Sequence, residues 1–275
     1  MRIRLLCLVA IVGLAALSCG GGDTTGDDAA GTPEPQQNVV EVGLTEFAFG
    51  MSAEEITGGN VTFEFTNQGD AHHEVGFWRV EEGTTIQDIE RALNQGGPPK
   101  GADDLSGIPV LSPGYSTAMA RDLEPGTYGF VCMLPVAGEK GYTPHAAEGM
   151  VTLFDVEGTS GASAPAPEYT VTVTDDAFDV QEIEAGDHWV ELVNGGTKTH
   201  EFALFSPEEG NALEDIDRWF GTGQKGPAPA VFPGGLQSIP PGDAISLRIT
   251  FEEGRTYVFQ DFENEIETEF EVGSG

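Results

Sequence analysis

A stretch of roughly a hundred residues, the size of a small domain, occurs twice in this chain, so its fold must be a unit that works as two copies. Phe65-Thr66-Asn67-Gln68-Gly69 followed by His73-Glu74 recurs as Leu192-Val193-Asn194-Gly195-Gly196 followed by His200-Glu201, at an offset of 127 residues. Ile86-Gln87-Asp88-Ile89-Glu90-Arg91 recurs as Leu213-Glu214-Asp215-Ile216-Asp217-Arg218 at the same offset. Gly126-Thr127-Tyr128 recurs as Arg255-Thr256-Tyr257 at an offset of 129. Matches at a nearly constant spacing mark an ancestral duplication.

Each repeat reads mostly as strand. Val61-Thr62-Phe63-Glu64-Phe65 alternates apolar and polar residues, as do Tyr169 to Val173 and Ile245-Ser246-Leu247-Arg248-Ile249, with Gly, Pro and Asn between the runs. One short helix interrupts each repeat. Thr85 with Asp88 is a candidate cap for the first, Asn211 with Glu214 for the second, and Gly96 and Gly221 are candidate stops. Short strands with one inserted helix predict a small Greek-key sandwich or barrel. Residues 20–37 and 159–167, rich in Gly, Ser, Thr, Ala and Pro and without apolar periodicity, read as a disordered tether and a linker. The expected organisation is therefore a domain at 38–158 and a second at 168–275.

The N-terminus reads as a targeting segment. Arg2 and Arg4 precede an apolar run from Leu5 to Leu17, too short to span a membrane, as in a signal peptide over 1–19. Its end, Ala15-Ala16-Leu17-Ser18-Cys19, resembles the bacterial lipobox, which implies lipidation of Cys19 and anchoring at a membrane surface in the periplasm or on the cell surface. Of the 3 cysteines, Cys7 would leave with the signal and Cys19 would carry lipid, so Cys132 remains alone. A lone thiol in an oxidising compartment must be buried, paired between chains or bound to something. With 46 acidic against 12 basic residues the net charge is −34, which excludes nucleic acid and suits a partner with a basic surface, a saline medium, or solubility outside the cell.

Three segments of the first repeat carry a resemblance: the Asn67-to-His73-Glu74 junction, the strand Gly126-Thr127-Tyr128-Gly129-Phe130-Val131 leading to Cys132, and Pro144-His145-Ala146-Ala147-Glu148-Gly149-Met150. Over roughly Val39 to Gly158 the chain resembles the cupredoxins, the blue copper proteins. The resemblance implies an all-β fold of two tandem cupredoxin-like Greek-key β-sandwich domains. It also implies one type 1 copper held by His73, Cys132, His145 and Met150. The donor chemistry agrees, because a thiolate and two imidazoles with a weak thioether suit both oxidation states of copper. His72 adjoins His73, but successive strand residues face opposite ways, and His73 matches His200 in the repeat whereas His72 matches Thr199.

Cys132 and His145 lie 13 positions apart, a longer ligand loop than is usual in the family, extended by Val136-Ala137-Gly138-Glu139-Lys140-Gly141. Such a loop would either expose the copper edge or build a docking surface. In the second repeat Cys132 aligns with Asp261 and Met150 with Ile266, and the ligand loop is missing. His200 is therefore expected to be a structural, hydrogen-bonded histidine, in a domain without copper.

With 5 histidines the chain is too poor in that residue for a multicopper oxidase, and no histidine flanks Cys132 as in copper nitrite reductases. No Ser-His-Asp or paired-carboxylate arrangement stands out. The expectation is a non-enzymatic protein transferring single electrons to an extracytoplasmic redox partner. The alternatives are a copper-storing or copper-delivering lipoprotein and a structural or adhesive sandwich.

Overall fold

The alternating strands Gly59–Asn67 and His73–Val80 bury one face each, and what they bury it against organises the molecule. A computed structural model describes residues 38–137 and 142–274. The signal peptide, Cys19, the tether and positions 138–141 of the ligand loop lie outside the described residues.

The first repeat is a sandwich. One sheet runs, in spatial order, Ala48–Met51, Val39–Thr45, Gly59–Asn67 and Ser116–Leu123; the other runs Glu55–Thr57, Val151–Glu157, Gly126–Val131 and His73–Val80. Phe63 and Phe65 from the first sheet meet Phe77, Phe130 and Phe154 from the second, with ring centroids in this cluster 5.0–6.3 Å apart in edge, tilted and stacked contacts. The second repeat builds the same sandwich from Phe178–Val180, Tyr169–Val173, Gly186–Asn194 and Ala244–Phe251 over Ala230–Ile239, His200–Pro207, Thr256–Asp261 and Ile266–Glu271. Phe178, Phe202 and Phe259 fill its interior, and the half-buried Phe270 stacks on Phe259.

The two sandwiches share a sheet. Ser116–Leu123 pairs antiparallel with Ala244–Phe251, and Met119 lies opposite Leu247. These two residues are equivalents, since Met119 also lies opposite Phe63 and Leu247 opposite Val190, and Phe63 and Val190 are 127 apart. A residue facing its own counterpart defines an isologous junction, as in a two-fold dimer written into one chain. An eight-stranded sheet and a continuous core result, so the two repeats form one compact unit. The segment 159–167 has no helix or strand, and its Ser160 N–H donates to Gly58 O at 2.6 Å.

Both inserted helices are present, α1 at Ile86–Asn94 and α2 at Leu213–Gly221. Thr85 caps α1: its Oγ1 accepts from Asp88 N–H at 3.2 Å and the Asp88 carboxylate accepts from Thr85 N–H at 3.0 Å. The second cap differs from the expected Asn211 with Glu214. Ala212 holds the capping position, and only the return bond exists, from Ala212 N–H to Asp215 Oδ2 at 2.9 Å. Gly221 is the last residue of α2 rather than its stop. Gly223, at φ 73°, takes the left-handed position that Gly96 takes after α1 at φ 90°.

Candidate metal centre

His73, Cys132, His145 and Met150 are brought to one end of the first sandwich by elements whose backbone bonds leave them little freedom. Asn67 sets up the first. Its side-chain amide donates to Ala71 O at 2.9 Å and Leu111 O at 2.8 Å, while its carbonyl oxygen accepts from Gly69 N–H at 3.0 Å, which shapes the turn that delivers His73. Glu46 closes the same turn from outside, accepting from Asp70 N–H at 2.6 Å and Ala71 N–H at 2.9 Å.

The other three come from the chain after Val131. Pro144, extended and lacking an N–H, starts a single turn of 3₁₀-helix at His145–Glu148, and Gly149 ends it at φ 110°. The turn is laced to Cys132 by Cys132 N–H to Met150 O at 3.1 Å, Met150 N–H to His145 O at 3.0 Å and Ala146 N–H to Cys132 O at 2.8 Å. His145 N–H donates to Leu134 O at 2.9 Å.

His73 Nδ1 lies 3.2 Å from His145 Nδ1, and Cys132 Sγ lies 3.4 Å from the same nitrogen. All three donor atoms fall within 4.8 Å of one another, so the cluster can hold a metal ion. His73, Cys132 and Met150 are fully buried, and His145 is 2 % exposed, with the Phe47 ring edge-on at 5.2 Å.

Electrostatics make the fit to a cation specific. Burial, then the neighbouring Glu74, pushes the Cys132 thiol up to about 12. Burial lowers His73 to about 4 and also lowers His145, so both imidazoles are neutral at physiological pH. Two neutral imidazoles therefore stand beside a thiol whose ionisation a positive charge would favour, and a bound metal would supply that charge. His73 Nε2 is buried without a partner, so no carboxylate claims that ring.

The second repeat shows the same place without the site. His200 is bracketed by two carboxylate acceptors, with Asp261 Oδ2 at 2.7 Å from Nδ1 and Asp175 Oδ1 at 3.2 Å from Nε2. Asp261 stands where Cys132 stands: Glu201 N–H donates to its carboxylate at 3.2 Å, as Glu74 N–H donates to Cys132 Sγ at 3.3 Å. Asn194 repeats the Asn67 clamp on Lys198 O and Ile239 O. His72 turns away from the metal cluster and packs on Trp219 and Phe232 of the second repeat, at 4.9 and 5.7 Å.

No protein-family model matches the chain, and no curated protein matches it. Solved structures similar to it include the dithionite-reduced auracyanin of Roseiflexus castenholzii, 25% identical over 44% of this chain and 98% of that one, with a TM-score of 0.31. Auracyanin B is 21% identical over 46% and 92%, also at 0.31. The blue copper oxidase of Nitrosomonas europaea is 15% identical over 86% of each chain, at 0.28. Both repeats are cupredoxin-like. Their common strand order and the duplicated Asn clamp carry that statement, and the donor set belongs to the first repeat alone.

Residue reading missed Glu74 as part of the site, although its recurrence as Glu201 was a signal. The Glu74 carboxylate accepts from Met133 N–H at 2.8 Å, directly after the cysteine. Phe47, at φ 64°, and Gln237, from the other repeat, carried no sequence signal at all.

Proposed function

We propose that the first repeat binds one type 1 copper through His73, Cys132, His145 and Met150, and that the protein transfers single electrons outside the cytoplasm. The observation that carries this reading is the buried convergence of two neutral imidazoles and one thiol, their donor atoms within 4.8 Å. Bound copper supplies a one-electron couple that soft sulfur and imidazole nitrogen stabilise in both oxidation states. Cys132 would hold the copper as the thiolate, without its proton. Glu74 N–H, aimed at Sγ, withdraws electron density from the resulting thiolate. The backbone bonds among Cys132, His145 and Met150 fix these residues relative to one another, and Met150 would offer its thioether as a further ligand.

Burial favours electron transfer over copper delivery, because a site that hands metal to a partner must open its ligands, and these are 0–2 % exposed. The histidines argue against a second copper centre. Of the 5, His200 is held between two carboxylates, His188 bonds Glu168 Oε2 at 2.9 Å, and His72 is packed on aromatic rings. The acidic balance suits a redox partner with a basic surface, and Cys19, if lipidated, would hold both repeats at a membrane.

Voltammetry of the copper-loaded protein tests the role. The expected result is a reversible one-electron wave with a persistent oxidised form. Tight Cu(I) binding without any stable oxidised form would establish metal handling instead.

A further inference from the structure

The second repeat keeps no metal ligand set, yet one of its side chains reaches the first repeat's centre. Gln237 Nε2 donates to Glu74 Oε1 at 2.6 Å, while the other oxygen of that carboxylate accepts from Met133 N–H and the Glu74 N–H points at Cys132 Sγ. Glu74 is thus a bridge, with the cysteine loop on one side and the second repeat on the other.

The placement of Gln237 is built. Between His200 and Phe202 the register against the neighbouring strand shifts, leaving Gln237 and Ser238 as a bulge opposite Glu201, with Ser238 at φ 28°. A bulge re-aims its side chains out of the regular alternation. Here it turns Gln237 across the junction. The first repeat grips its backbone there: Gln237 N–H donates to Gly107 O at 2.9 Å and Ser106 Oγ donates to Gln237 O. Gly107 is held tightly inside its own repeat, since a Cβ there would sit 1.7 Å from Val75 O, and it would also come to 3.1 Å from Gln237 Oε1.

The junction's two-fold relation makes a control within the molecule. The first repeat has the same register shift between His73 and Val75, with Pro109 and Val110 as its bulge. His73 lies opposite Leu111 and His200 opposite Ile239, so Pro109 is the counterpart of Gln237. Proline has no side-chain donor. The amide therefore runs in one direction only, from the copper-free repeat to the copper-bearing one, and Glu201 receives no equivalent.

We propose that Gln237 is a positioning residue of the metal centre: through Glu74 it holds the Cys132–Met133 segment and so sets the orientation of the thiolate. The proposal rests on the copper reading for its spectroscopic arm but not for its thiol arm. It gives the second repeat a task that its lost ligands do not suggest.

The test compares wild type with Gln237→Leu, Gln237→Glu and the double exchange Glu74→Gln/Gln237→Glu, which restores a donor–acceptor pair across the junction. Ser112→Ala is the control; it removes another inter-repeat bond, from Phe232 N–H to Ser112 Oγ at 2.9 Å, which does not involve Glu74. In copper-free protein, labelling of Cys132 by a thiol-reactive disulfide should speed up about tenfold in both single variants, the opening expected from one lost hydrogen bond. It should fall back in the double exchange. In copper-loaded protein the thiolate-to-copper band and the reduction potential should shift in the single variants and not in Ser112→Ala. Single variants that lower the melting temperature like Ser112→Ala, with labelling rate, band and potential unmoved, would overturn the proposal. A wild type without any band would remove the copper reading, while the labelling arm would still decide whether Gln237 positions the thiol.

Discussion

Glu74 and Glu201 occupy the same place in their repeats and answer to different neighbours. Burial raises both to about 7, and the Asp261 carboxylate adds to the effect at Glu201, which lacks the amide that Glu74 receives. For a carboxyl whose folded-state value lies above its unfolded one, the folded state is favoured while the proton is on and loses that advantage as pH rises toward the folded value. Glu201→Gln should therefore leave stability unchanged near pH 4 and raise it by about 1–3 kcal/mol at pH 8, the scale of a shift of this size. Chemical denaturation at the two pH values measures it; an equal effect at both would refute the burial account. At this scale the cluster of His73, Cys132 and His145 was legible because its chemistry is rare: a single cysteine among the described residues, with a histidine before it and another after it in the chain. Gln237 was not, because an amide announces nothing until its partner from the other repeat is beside it.

The helices show which kind of sequence signal to trust. Asn211 and Glu214 have suitable residue types at a suitable spacing, but the duplication offset of 127 carries Thr85 to Ala212, Asp88 to Asp215 and Gly96 to Gly223, which is where the structure puts the cap, its partner and the stop. A repeat transfers a whole backbone path, whereas a local pattern weighs only one turn. Ala212 keeps an extended cap conformation, φ −112° and ψ 171°, without an oxygen to use it. Ala212→Thr should therefore stabilise the protein by about 0.5–1 kcal/mol in urea unfolding, and Thr85→Ala should cost about the same. No gain from Ala212→Thr would mean that the backbone there does not match its counterpart at Thr85.

At the level of the molecule the sequence spelled out two sandwiches, and the structure joins them. The joining was not readable because Ser116–Leu123 and Ala244–Phe251 look like ordinary edge strands until each is seen to be the other's partner. With a shared sheet and a continuous core, the repeats should unfold together in one calorimetric transition, and copper should raise that whole transition. Two transitions, with only one moved by copper, would show instead that the repeats are independent. The central claim, a copper thiolate at Cys132 in the first repeat, is tested most directly by the visible spectrum of the Cu(II)-loaded protein. An intense thiolate-to-copper band is expected in wild type and in His72→Ala, with loss of that band in Cys132→Ser and in His73→Ala; a colourless wild type, or a band that survives Cys132→Ser, would contradict it.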